Sequence, residues 1–166
     1  MRQLYSKNHF LTRGFIGGLY LLFLLSLNLH AQIVIVVPKS SSIDSLTSDE
    51  LKKIFKGQAV GNPKPNPIQI VEYEDISDDF YRALYGQSAY AIGKYWLRLI
   101  FSGERVLVPK SFSSVNRFVD FLKKHENSIG FLPADVYNKL DPSLIRNVVI
   151  DGKKYDDPQY SLKWRY

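Results

Sequence analysis

Apolar positions along the chain recur with two periods. The stretch "IVIVV" at 33–37 is a continuous β-branched run, which marks a strand covered on both faces and suits a parallel sheet. "IQIVEY" at 68–73 predicts a second strand, "RVLVPKSF" an extended segment, "SIGFL" a short strand and "RNVVI" a last one. Helical spacing fills the intervals. Leu51, Ile54 and Phe55 share a face, Thr47 stands as N-cap with Glu50 closing a capping box, Leu46 and Leu51 form a hydrophobic staple, and Gly57 stops the helix. A second helix is predicted from near Ser77 to just before Gly86. Ile92, Tyr95, Trp96, Leu99 and Ile100 predict a buried stripe on a third; Val115, Phe118, Val119 and Leu122 do the same on a fourth. "PADVYNKL" predicts a short helix with Pro133 near its start. The tail "YSLKWRY" alternates strictly and predicts an extended segment laid on the body. Strands alternating with helices give an α/β layer fold with a mostly parallel sheet.

The N-terminus changes how the composition is read. Arg2, Lys7 and Arg13 precede the apolar run "FIGGLYLLFLLSLNL", and "LHA" follows as a cleavage site, so residues 1–31 are expected to be a cleavable signal peptide. The run falls short of the roughly 20 residues of a spanning helix, so no stable membrane insertion is expected after cleavage. Residues 32–166 then form one domain. Its 135 residues (166 less 31) are enough for a single core. The 22 Lys and Arg fall by three to 19 against 16 Asp and Glu, an ordinary balance that points to no nucleic-acid partner.

Candidate chemistry is sparse. Cysteine is absent, and the expected mature chain keeps one of the three histidines, His125, at a helix C-terminus where a positive charge suits the dipole. Zinc sites of His and Cys and nucleophilic triads therefore lack material, so neither a cofactor nor a metal is expected and catalysis is not. The junction "IQIVEYEDISDDFYRALYG" carries Glu72, Glu74, Asp75, Asp78 and Asp79, five carboxylates in eight residues. One reading is helix capping, with Asp75 or Ser77 as N-cap and Asp78 and Asp79 in the first turn. The other is a site for a cationic ligand, a basic partner surface or a hard metal ion. Serines after the first strand (Ser40, Ser41, Ser42) and before the fourth helix (Ser111, Ser113, Ser114) are further candidate contacts, because ligands of open α/β sheets sit beyond the carboxyl ends of strands.

The phrases "LTSDELKKIFKG", "YWLRLIFSG", "NSIGFL" and "VVIDGKKYDDPQYSLKWRY", in that order, resemble the second lobe of periplasmic solute-binding proteins. The likeness is to the phosphate-binding component of bacterial ABC transporters and its short single-lobe relatives, and it spans residues 33–166. It implies a single type II periplasmic-binding-protein-like lobe, an α/β fold with a mostly parallel sheet flanked by helices, bacterial origin and residence in the periplasm. In that family the strand matching "IQIVEY" leads into an arginine and a Ser-Gly-Thr turn that hold phosphate at a helix N-terminus. Here the arginine falls on Glu72, and the turn falls on Ile76, Ser77 and Asp78. Only Ser77 survives, and Glu72 reverses a charge, so an anion is the wrong guest.

The resemblance implies a non-enzymatic binding module. Solute-binding proteins of this class close two lobes about a ligand, and 135 residues supply one lobe. The expected partner is therefore an envelope protein. The alternative is a small anionic solute, phosphate or another oxyanion, in a cleft completed by a homodimer or a partner chain. Candidate ligand-binding residues are Ser77, Asp78, Glu72, Ser41, Ser113 and Ser114.

Overall fold

The computed structural model describes residues 30–58, 60 and 67–165. The predicted signal peptide lies outside these residues except for His30 and Ala31, as does most of the proline-rich loop that follows the first helix. No helix among the described residues is long and apolar enough to cross a membrane.

The sheet is mixed. Its strands β1 (His30–Pro38), β3 (Gln69–Tyr73), β4 (Lys110–Phe112), β5 (Ser128–Pro133), β6 (Ile145–Asn147) and β8 (Lys163–Arg165) include a path in the order β4-β3-β5-β1-β6, and β8 also pairs β1. β3 runs parallel to both β4 and β5, whereas β1 runs antiparallel to β5, β6 and β8. Five strands therefore share a direction and the β-branched strand opposes them. Ile33 to Val37 are fully buried, so the run is covered on both faces as expected, but its direction is the reverse of a parallel neighbour's. An apolar run records coverage; it carries no information about polarity. The expected cleavage point after Ala31 falls inside β1, where Gln32 pairs Lys163.

The first helix, α1 (Ser48–Ile54), begins as its sequence dictates. The Thr47 hydroxyl accepts from the Glu50 N–H at 3.2 Å, and the Glu50 carboxylate accepts from the Thr47 N–H at 2.8 Å. Leu46 and Leu51 are both buried. A two-stranded parallel sheet of β2 (Ser45–Leu46) and β7 (Val149–Ile150) carries the helix entrance, and the Asp151 carboxylate accepts from the Ser48 N–H at 2.8 Å. "RNVVI" is thus two strands in two sheets, joined through the fully buried Val148. Gly57 ends the helix at φ +71°, its N–H on the Ile54 carbonyl at 2.8 Å and that of Gln58 on Lys53 at 2.9 Å.

The remaining helices are α2 (Ser77–Tyr85), entered through a 3₁₀ turn at Glu74–Ile76, α3 (Ala89–Phe101), α4 (Val115–Lys124) and α5 (Ala134–Tyr137). α4 lies on the sheet, with Phe118, Val119 and Leu122 buried. It sits close because Gly130 in β5 has no side chain: a Cβ there would stand 2.6 Å from the Val71 carbonyl oxygen and 2.7 Å from Phe118 Cζ. His125 caps the end of α4, stacked on Phe121 with its Nδ1 2.8 Å from the Phe121 carbonyl oxygen.

Elsewhere the core is aromatic. Phe80 of α2 stacks on Phe131 of β5 with ring centroids 3.9 Å apart, and Phe55 and Tyr81 close around the pair. Of the tail, Lys163–Arg165 form β8 against α2, and Tyr160 and Leu162 are buried across a bend at Ser161; Tyr166 lies outside the described residues. Of the α3 stripe, Ile92 and Trp96 are buried and Tyr95 and Leu99 half-buried, but Ile100 is 44% exposed. Helical spacing placed it in the core; the helix carries it past the packed layer to the surface.

Candidate functional site

β3 decides where the acidic junction goes. Val71 and Tyr73 point into the core, so Glu72 between them faces the other side of the strand, half-buried. Ser111 is its cross-strand partner on β4, and its hydroxyl donates to Glu72 Oε2 at 2.9 Å. The hydroxyl of Tyr81, from the buried face of α2, donates to Glu72 Oε1. Burial first, and the Glu72 charge second, push the Tyr81 phenol well above its ordinary range, so it remains a donor at any physiological pH. Each carboxylate oxygen thus accepts one hydrogen bond and keeps further acceptor capacity. No ion pair reaches Glu72 among the described residues.

The other carboxylates do not converge on it. Asp75 accepts the Tyr73 hydroxyl at 2.8 Å, and Glu74 is exposed on the 3₁₀ turn. Asp78 pairs with Arg82 at 2.5 Å and accepts the N–H of Ala89 at 2.9 Å, contacts that hold its carboxyl below the usual range. It therefore ties α2 to the start of α3. Burial, with Asp78 beside it, raises the carboxyl of Asp79. Neither Asp75 nor Ser77 caps the helix: the N-cap is Ile76, without a side-chain bond, and the Ser77 hydroxyl donates back to the Tyr73 carbonyl at 3.0 Å. The 3₁₀ turn shifts the entrance so that Ser77 is already helical. Among the described residues no group of three or more His, Asp or Glu could hold a metal ion.

The serines separate by strand direction. Ser113 and Ser114 follow β4, at the same end of the sheet as the Glu72–Ser77 junction. Ser113 is exposed, and Ser114 is the N-cap of α4 by backbone geometry without a side-chain hydrogen bond. Ser41 follows β1, and because β1 is reversed its loop lies at the opposite end. There its hydroxyl accepts the Ile43 N–H at 3.2 Å and its carbonyl accepts from Arg146 at 2.6 Å. Ser41 is not part of one site with Glu72, Ser77 and Asp78.

An apolar cavity of about 230 Å³ opens beside Glu72. Tyr81, Ser111, Ile92, Trp96, Leu97, Ile100 and Val108 are among its lining residues. Its rim runs on into exposed apolar surface: Leu97 is 53%, Phe101 85% and Val108 42% exposed. The indole N–H of Trp96 is buried without a partner among the described residues, and the far edge of its ring rests where a side chain on Gly57 would stand, 2.7 Å from Cη2. Tyr81, Trp96 and Leu97 join the site without having been legible in the sequence as site residues. The available signal lay in α3, where Tyr90, Leu97 and Phe101 are apolar but fall off the Ile92–Trp96–Leu99 stripe.

No protein-family model matches the chain, nor does any curated protein. Solved structures do match in fold. An ABC-type phosphate transport receptor from Vibrio cholerae superposes with a TM-score of 0.57 at 13% identity, over 82% of this chain and 55% of that one. PstS from Borrelia burgdorferi gives 0.57 at 14% identity, over 82% and 55%. A phosphate-binding protein from Stenotrophomonas maltophilia gives 0.54 at 12%, over 78% and 41%. The chain spans about half the length of the solved structures it matches. Its fold is that of a single lobe resembling the substrate-binding proteins of phosphate ABC transporters, an α/β layer with a mixed, mostly parallel sheet flanked by helices.

Proposed function

We propose that this chain is an exported, non-enzymatic binding module of the solute-binding-protein fold that acts by docking a protein partner of the cell envelope. One observation carries the reading. Where the resemblance calls for a phosphate-holding arginine, the chain has Glu72, held by two hydroxyls beside an apolar cavity whose rim is exposed hydrophobic surface.

Electrostatics supports this over a retained anion site. Two like charges roughly 4 Å apart repel by about 4 kcal/mol at an effective dielectric near 20. A hydrogen bond to a charged group returns only about 1.5–3 kcal/mol, and the Ser77 hydroxyl already donates to Tyr73. The phosphate-binding proteins of like fold support a second reading, an oxyanion cleft completed by a second copy or another chain, in which Ser77, Ser113 and Ser114 would line the wall.

A thermal-shift titration with phosphate and with sulfate at fixed ionic strength separates the two, because a ligand of the native state must raise its melting temperature. The docking reading expects no saturable rise at millimolar anion. A saturable rise that depends on Ser77 would overturn it in favour of the oxyanion site.

A further inference from the structure

The observations around Glu72 specify what the partner must present. Its carboxylate has no ion pair among the described residues, and each oxygen accepts only one neutral hydroxyl. It stands at an apolar cavity walled by Ile92, Trp96 and Leu97. A negative charge with spare acceptors and apolar walls complements one kind of group, a cation on a hydrocarbon stem. We propose that the cavity takes a basic side chain of the partner, a lysine whose methylenes lie along Trp96 and Leu97 and whose ammonium meets Glu72. This deepens the docking reading and rests on it.

Size and surroundings select a protein side chain over a free small cation. The cavity of about 230 Å³ is below the roughly 300–1,000 Å³ of sites that enclose a whole small ligand. Leu97, Ile100 and Val108 line it and remain exposed, and their chain neighbours Phe101 and Leu107 are exposed as well. A small cation would leave that surface in water, whereas a lysine set among apolar residues on a partner covers both at once. The arrangement is an anchor pocket with a hydrophobic surround.

The test uses the protein with N-acetylated, C-amidated pentapeptides Ala-Leu-Lys-Leu-Ala and its norleucine and glutamate counterparts, with n-butylammonium as the free cation, followed by calorimetry. The lysine peptide is expected to bind saturably, and the norleucine and glutamate peptides at least about tenfold more weakly. Glu72→Gln, which keeps the side chain's shape, is expected to erase the preference for lysine. Phe101→Ser, at an exposed position, is expected to weaken all peptides together.

Equal binding of lysine and norleucine peptides, a preference that survives Glu72→Gln, or no binding of any peptide would overturn the proposal. So would n-butylammonium binding as tightly as the peptide, which would make the occupant a small cation. A dimer in sedimentation that Phe101→Ser dissolves would assign the face to a second copy instead. Any of these alongside a flat phosphate titration sinks the lysine anchor and leaves the non-anion reading standing; a phosphate-dependent shift sinks that reading itself.

Discussion

The Tyr81 hydroxyl donates to Glu72 Oε1, tying the buried face of α2 to the one carboxylate on β3. The phenol ring is itself core, beside Phe80, Tyr85 and Phe131, so removing only the oxygen leaves packing in place. Tyr81→Phe is expected to cost about 1.5–3 kcal/mol in urea unfolding, the range for a hydrogen bond to a charged group. In a Glu72→Gln background the same change should cost less. Equal costs in the two backgrounds would show that the hydroxyl and the carboxylate are not coupled.

Gly57 and Gly86 separate strain from collision. Both have positive φ, +71° and +69°. A Cβ on Gly86 meets open space, whereas one on Gly57 meets the Trp96 ring at 2.7 Å. Gly86→Ala should therefore cost about 1 kcal/mol of backbone strain. Gly57→Ala should cost that plus a displacement of Trp96, a further 1–3 kcal/mol or so, and should perturb tryptophan fluorescence. Matching melting temperatures for the two variants would contradict the contact.

Acid sensitivity should arise in part at the entrance of α1. Hydrogen bonds from the Ser48 hydroxyl and N–H hold the Asp151 carboxyl below its usual range. A depressed folded-state pKa means that this stabilisation is fully present above the unfolded value, about 3.9, and is lost as pH falls through the lower folded value. Asp151→Asn keeps an acceptor for Ser48 and tolerates the positive φ of 50° at this position. Its stability should fall less than that of the parent between pH 5 and about 2. Parallel acid limbs would assign the sensitivity to other carboxylates.

The exposed end of α3 should contribute little to folding. Phe101 is 85% exposed, so Phe101→Ser should shift unfolding by less than about 0.5 kcal/mol while lowering the binding of a hydrophobic dye. A large loss of stability would mean that the side chain packs against something in the folded chain.

Much of the fold was legible locally. The Thr47–Glu50 capping box, the Gly57 stop, the buried face of α4 and the Ser77–Tyr85 helix all follow from signals within a few residues of one another. Capping, periodicity and positive-φ glycines act through near neighbours, so the chain states them directly. The charge at Glu72 was equally plain, and with it the argument against an anion.

Direction and convergence were not legible. The apolar run of β1 fixed its burial, but its polarity depends on hydrogen bonds to β5 and β6, a hundred or so positions away; that reversal took Ser41 to the far end of the sheet. Ile100 kept the helical spacing of a core residue and still reached the surface, because where the packed layer ends is set by neighbouring elements. Asp75 and Ser77, the natural caps, turned to Tyr73, and the partners of Glu72 came from positions 81 and 111. By itself the sequence determined the burial of the β1 run, the capping box of α1 and the charge at Glu72, each over a short span. Only the tertiary structure decided which residues meet, because strand order and register rest on long-range pairing that no local pattern encodes.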